Sequence, residues 1–294
     1  MKSAIRLTTS DRLFHVIVNT CLLLILALFV IPIWSTITLS FRPNTFIGSA
    51  LDGMLLPPWE WSTAAYKALL GHRTFIVSIF NSFRIFLEGV ASALFLTVPL
   101  AYLLSIKTLP GRKFLYGLVL VPYLFNVGLI PNYLLVSKLG LMDHLAAVYL
   151  PGAISVYNTL IMKSFFEGIP EELKESARID GASELAVLWK IILPLSKPIL
   201  LTIGLYYGVH FWNDFFNAML YINDSALQPL PILLRNILLS SGMNEYVEVN
   251  AFGEAPIAAI KAASVLLAAI PMLVAYPFIQ KYFVKGTMLG SVKG

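Results

Sequence analysis

The chain has 294 residues, 58% of them hydrophobic and only 13% charged, where a soluble domain carries about a quarter charged. That deficit excludes an ordinary soluble globular domain and indicates an integral membrane protein. The net charge of +5 comes with no basic face interleaved with aromatics, so nucleic acid is not an expected partner.

Six hydrophobic runs of membrane-spanning length succeed one another, over 14–39, 76–106, 114–136, 145–166, 199–222 and 257–284. They predict an all-α membrane protein forming one transmembrane domain over 1–294, with six transmembrane helices. Pro32, Pro99, Pro122, Pro131, Pro151, Pro271 and Pro277 lie inside these runs, which membrane helices tolerate when neighbours satisfy the freed carbonyls. The ten-residue alternation of a membrane β-barrel is absent from the sequence. The first run follows Lys2, Arg6 and Arg12; it is too long for a signal-peptide core and lacks a small-residue cleavage pattern, so it reads as an uncleaved helix. Cys21 is the lone cysteine, so no intrachain disulfide and no metal site are expected. With the N-terminus inside, 14 of the 21 Lys and Arg residues fall on inner segments, which makes both termini cytoplasmic.

The first outer segment, 41–75, holds Pro57, Pro58, Trp59 and Trp61, aromatics suited to a lipid headgroup belt. In the second run Arg84 and Glu88 stand one helical turn apart and predict a self-neutralising pair. His15, His72 and His144 lie near span ends and read as interfacial.

Between the fourth and fifth runs, 168–198 is too polar for lipid: EELKESARIDGASELAVLWKIILPLSKP occupies 171–198. Pro170 suits a helix start, and Glu171 and Glu172 sit at its positive end. Gly181 suits the left-handed residue that ends a helix. A second helix is expected over 182–193, stopped by Pro194, with Leu185, Leu188, Trp189 and Ile192 on one anchoring face. Small residues at Ala177, Gly181 and Ala182 would let another protein's backbone approach. A polar helix–turn–helix between spans is what a membrane subunit shows to a soluble partner.

The fifth run contains Tyr206, Tyr207, His210, Phe211, Trp212, Asn213, Asp214 and Asn217. Polar groups at that depth face a cavity or a partner helix. In one reading Tyr206, His210, Trp212, Asn213, Asp214 and Asn217, with Lys261 of the sixth run, line a substrate path; aromatic planes beside hydrogen-bonding groups suit sugars. In the other, Asn213 and Asn217 are interhelical glue. Lys261 with Arg84, Arg235 and His210 would give an acidic sugar a favourable field. The outer loop 223–256 holds a short amphipathic helix over 229–241, PLPILLRNILLSS, which either rests on lipid or forms a lip for an external delivery protein.

Glu175, Ala177, Gly181, Ile191, Leu193 and Pro194 resemble the hallmark of ATP-binding-cassette importer permeases, Glu-Ala-Ala, three residues, Gly, then a distant Ile-x-Leu-Pro, with Ser176 in the second place. ARIDGA at 177–182, QKYF at 280–283 and the closing GSVKG at 290–294 resemble the carbohydrate-uptake branch, nearest the smaller maltose-type permease. HFWNDFFNA at 210–218 and LLRNIL at 233–238 resemble its oligosaccharide importers, the alginate importer included. The resemblance implies the type I importer fold in a bacterial inner (plasma) membrane. It makes Glu175, Ala177, Arg178, Ile179, Asp180, Gly181 and Ala182 the segment that couples to an ATPase. It implies a second permease, two ATPase subunits and an extracytoplasmic solute-binding protein as partners, beside membrane lipid and an oligosaccharide substrate. In the related maltose system the substrate contacts lie mainly in the other permease. The chain carries no GxxxxGK[ST] loop, so this chain binds no cofactor, and ATP and Mg belong to the partner ATPase. The rivals are an importer of the same kind for another small solute and an ion-coupled secondary transporter, for which only Glu88 and Asp214 are intramembrane acids. With neither HExxH nor GxSxG in the sequence, an intramembrane enzyme is not expected.

Overall fold

A computed structural model describes residues 9–46, 50–125, 127–239 and 255–290, and all regular structure among them is helical. The tail motif at 280–283, the chain end and most of the predicted outer loop beyond Leu239 lie outside the described side chains. Backbone proximity divides the chain into two units, Met1–His72 with Ser240–Leu267, and Arg73–Leu239 with Ala268–Gly294.

In the first unit, helix α1 (Thr9–Ser40) carries an unbroken apolar stretch over Leu13–Ser40, close to the predicted first span. The segment after it folds on its aromatic residues. Trp61 stacks on Phe41 with ring centroids 4.7 Å apart and donates its indole N–H to the Leu56 carbonyl at 3.0 Å. Trp59 is 84% exposed. Of the two tryptophans expected at the headgroups, only Trp59 is therefore free for that role, because Trp61 holds its own loop together.

The second unit is built on α2 (Arg73–Ser105), an apolar helix of 33 residues, matching the predicted 76–106. The expected third span divides into α3 (Arg112–Leu124) and α4 (Leu129–Lys138). The break is chemical: Gly128 takes φ +84°, and Pro131 then falls in the first turn of α4, where its missing N–H costs nothing. The expected fourth span is not one helix either. A turn of helix at Ala146–Tyr149 gives way to a 3-10 turn at Leu150–Gly152, and α5 (Val156–Glu167) restarts under a Ser155 cap that accepts from the Asn158 N–H. Pro151 removes a backbone donor inside that run, which ends α-helical pairing there.

Two helices of the polar segment follow, α6 (Glu171–Ile179) and α7 (Glu184–Leu195), then α8 (Lys197–Asn213), α9 (Phe216–Tyr221) and α10 (Leu230–Leu239). The last helix, α11 (Ile257–Gly290), contributes residues to both units. Three helical stretches, Leu13–Ser40, Arg73–Ser105 and Ile257–Pro277, are long and apolar enough to cross a membrane unbroken among the described residues.

α8 lies against α2, and glycine lets them approach. A Cβ on Gly89 of α2 would stand 2.6 Å from the Phe211 ring of α8, and one on Gly208 of α8 would collide with the Phe86 ring of α2. Small residues under rings are how membrane helices gain dispersion contact without a hydrophobic driving force. The shared core adds Ile85, Ala93, Met162, Phe166, Val187, Ile192, Ile203 and Tyr207. α10 is docked rather than loosely laid on the surface: Leu230, Ile232 and Ile237 are buried. Its entry is pinned to α2 by Ser82, whose hydroxyl accepts the Leu230 N–H at 2.8 Å.

Filling these contacts should destabilise the second unit. Gly208→Val is expected to cost about 1–3 kcal/mol through overpacking and to lower the melting temperature in detergent. Gly117→Ala, with nothing within 4 Å of the added carbon, is expected to leave it unchanged.

Candidate functional site

The polar segment starts with Pro170 as the residue before α6, and the glutamates at 171 and 172 occupy its first turn. α6 ends in a complete Schellman turn. Gly181 has φ +82°, its N–H donates to the Arg178 carbonyl at 3.0 Å, and the Ala182 N–H reaches back to the Ala177 carbonyl at 2.9 Å. These two bonds satisfy carbonyls that the helix end would otherwise leave open. Ala177 and Ala182 pack on the core beneath, as the apolar contact of such a turn requires. Both alanines are half-buried, while Gly181 is exposed with nothing within 4 Å of an added Cβ.

Charges lock the two short helices together. Arg178 donates from Nε to Glu184 Oε1 at 2.8 Å and from Nη1 to Glu171 Oε1 at 3.2 Å. Glu171 takes Lys174 Nζ on its second oxygen at 2.9 Å, and Lys174, only 4% exposed, also donates to the Phe166 carbonyl of α5 at 3.4 Å. Glu184 accepts the Tyr102 hydroxyl on Oε2. The Arg178 guanidinium holds the Glu184 carboxyl below its usual range, and the Lys174 ammonium does the same for Glu171. Hydrogen bonding to Glu184 in turn raises Arg178.

α7 does not present the expected anchoring face. Val187, Leu188 and Ile192 are buried, whereas Leu185 is 68% and Trp189 67% exposed. Trp189 lies in a π-helical turn over Leu188–Ile192, whose i→i+5 bonding shifts side chains from a 3.6-residue period, whereas Leu185 stands before that turn, in the regular first turn of α7. Nor does Pro194 stop the helix: the Leu193 N–H bonds the Leu188 carbonyl, and Pro194 passes through in the following α turn, which runs to Leu195. The direction changes at Ser196, where α7 and α8 meet at 84°. With Ile179 86% exposed at the tip, the segment carries exposed large apolar side chains on an otherwise charged surface, the signature of an interaction site. Glu175 and Asp180 are exposed beside it.

The residues expected along a substrate path separate into two sets. Tyr206, His210 and Asn213 are exposed, and their spacing puts them on one face of α8. Trp212 is buried, donating its indole N–H to the Ala268 carbonyl at 3.2 Å. Asp214 caps α9 by accepting the Asn217 N–H at 3.0 Å and its amide at 2.7 Å. Those last three residues thus have structural partners, and Asn213 gives its amide to the Val209 carbonyl of its own helix. Lys261 belongs to the first unit and is half-buried there.

Arg84 and Glu88 form the expected pair, Nε to Oε1 at 3.1 Å, with both side chains partly exposed. The Tyr149 hydroxyl adds a bond to Glu88 Oε2 at 3.2 Å. Sequence spacing did not reveal a second polar knot, in which the Tyr207 hydroxyl accepts the Ser155 N–H at 2.9 Å and pairs with Thr97 Oγ1 at 2.8 Å. Arg235 is placed over the Phe215 ring at 5.6 Å. Among the described residues no group of His, Cys, Asp and Glu is arranged to hold a metal.

Residues 75–288 match the family described as the binding-protein-dependent transport system inner membrane component, and the chain belongs to that family. It is a transport permease component, not itself an enzyme. It is 42% identical over 294 residues to the protein LplC of Bacillus subtilis (strain 168), covering 98% of this chain and 97% of that one. It is 41% identical over 286 residues to the polygalacturonan/rhamnogalacturonan transport system permease protein YtcP of the same organism, covering 97% and 99%. A solved bacterial ABC transporter involved in the import of the acidic polysaccharide alginate contains a chain of the same fold. It superposes with a TM-score of 0.85 at 31% identity over 95% of this chain and 100% of that one.

Two outcomes follow for the polar segment. Gly181→Val, which forces a branched side chain into the left-handed region, should cost about 1–2 kcal/mol and raise amide exchange across 171–184, while Gly181→Asn should come close to the parent. Because Glu171 and Glu184 titrate below their ordinary values, their contribution to the fold is complete above the unfolded carboxyl range and lost as pH falls through the depressed values. Protection of 171–184 should stay flat from pH 8 to about 5 and decline below that.

Proposed function

We propose that this chain is a membrane permease subunit of an ATP-driven importer of oligosaccharides, with uronate-containing ones as the substrate class. It crosses the membrane six times with both termini in the cytoplasm. Three spans are the unbroken stretches and a fourth is the bent pair of α3 with α4; the other two are assigned to Ala146–Tyr149 with α5 and to α8 with α9, whose lengths follow the apolar runs of the sequence. A second permease completes the path, an extracytoplasmic binding protein delivers sugar, and two ATPase subunits bind and hydrolyse Mg-ATP. Residues 175 and 177–182 are the coupling segment.

The observation that carries this reading is the polar helix–turn–helix itself. Glu171, Lys174, Arg178 and Glu184 pair with one another and hold the hairpin, and Ile179, Leu185 and Trp189 are exposed on it. A solvated loop has no use for exposed apolar groups on a rigid frame; a groove in another protein does. The sugar class rests on the relatives: YtcP is named for polygalacturonan and rhamnogalacturonan, and the solved transporter for alginate, and these are uronate-containing polymers. The partly exposed ionisable groups Arg84, Glu88 and His210 support a polar wall, since such groups in a span face a cavity or partner protein rather than lipid. Arg84 is already balanced by Glu88, so within the second unit the field favouring an anionic sugar falls to His210 and Arg235.

Transport by the reconstituted complex should require the ATPase subunits and ATP and survive collapse of ion gradients. Gly181→Asp should insert normally and lose coupled ATP hydrolysis; normal transport by that variant would refute docking at this turn. Tetragalacturonate presented by the binding protein should stimulate hydrolysis more than maltotetraose does. Equal stimulation would remove the uronate class.

A further inference from the structure

We propose that Tyr102 is the positioning residue through which movement of the polar segment reaches α2 and, from it, the α8 face that bears His210. The proposal rests on the coupling reading above.

Beside its packing on the core, the Gly181 turn is tied toward α8 by two routes. The chain-continuous route passes along α7 and through its π turn, then changes direction by 84° at Ser196. The Ser196 hydroxyl at that corner is buried without a hydrogen-bond partner. The π turn breaks the regular i→i+4 ladder and the axis then turns through 84°, so a push along α7 is not carried straight into α8. The second route is lateral. Tyr102 is buried in the last turn of α2, and its hydroxyl donates to Glu184, 82 residues away in sequence. The same carboxylate holds Arg178, the residue whose carbonyl closes the Gly181 turn. Displacement of the turn therefore acts on Tyr102 through two consecutive charge-assisted bonds, a stiffer class of contact than neutral ones.

α2 then passes the displacement on. Thr97, five residues before Tyr102, shares a hydrogen bond with Tyr207 of α8, and Gly89 seats the Phe211 ring. Phe211 is adjacent to His210, their rings 5.4 Å apart. The other lateral tie, from Lys174 to the Phe166 carbonyl, is longer at 3.4 Å and leads to α5. A packed helix with two fixed contacts moves as a body, which is how small displacements become discrete transitions.

Hydrogen–deuterium exchange on the assembled transporter in nanodiscs, with and without Mg-ATP-vanadate, tests this. In the parent, nucleotide should change exchange in both 171–184 and 101–109. In Tyr102→Phe, which keeps the buried ring and removes only the hydroxyl, the response of 171–184 should persist and that of 101–109 should be lost. Glu184→Ala removes the same acceptor together with the Arg178 bridge, so it should lose the response of 101–109 and also lower the protection of 171–184 in both nucleotide states. A nucleotide response of parental size at 101–109 in both variants overturns the proposal. So does faster exchange there in both nucleotide states with the difference intact, the outcome of a merely structural tyrosine. Absence of any response at 171–184 in the parent defeats the coupling reading itself, and the proposal with it.

Discussion

The arrangement turns on one guanidinium. Arg178 stands between Glu171 at the start of α6 and Glu184 at the start of α7, and that bridge keeps two helices, too short to persist alone, in a fixed hairpin. With the charges paired, the Gly181 turn needs no contact from outside to hold its shape. It can then offer Ile179 and the open space at Gly181 to another surface while Ala177 and Ala182, half-buried, rest against the core. Individually such half-exposed ion pairs are weak. Their weight here is geometric: Glu184 takes Arg178 of α6 and Tyr102 of α2 and so fixes the angle between elements, while Glu171 takes Lys174 and Arg178 and orients Arg178 within α6.

Below that frame the second unit solves a different problem. Its helices are apolar on nearly every side, so burial alone does not choose their partners. Glycines at 89 and 208 choose α2 and α8 for each other by admitting one aromatic ring apiece. Polar knots then fix the register: Thr97 with Tyr207 and Ser155, and Arg84 with Glu88 and Tyr149. Each knot joins elements distant in sequence, which makes the bundle specific as well as packed.

Composition and run length were enough to read the helical membrane class and the boundaries of the first two long helices, because both follow from local hydrophobicity. The turn at Gly181 was legible for the same reason: a glycine after a helix carries its conformation with it. Where long-range contacts or unusual bonding decide the outcome, the pattern misled. In α7 the buried side is set by Val187, Leu188 and Ile192, which leaves Leu185 and Trp189 outward. Pro151 and Gly128 broke runs that hydrophobicity alone would continue. Trp61 looked like a headgroup aromatic and is the stacking partner of Phe41. In α8 the polar residues looked equivalent in sequence, yet Trp212, Asp214 and Asn217 are occupied by structure, while Tyr206, His210 and Asn213 share an open face. Tyr102 carried no signal at all, since nothing near it in the chain hints at Glu184.

The central claim is that the tip of the polar hairpin enters a groove of a nucleotide-hydrolysing partner. A photo-crosslinking amino acid at position 179, in membranes holding the assembled transporter, addresses it directly. The account predicts one dominant adduct with the ATPase subunit, changing in yield when Mg-ATP is added. Adducts with lipid alone, or a yield indifferent to nucleotide, would contradict it.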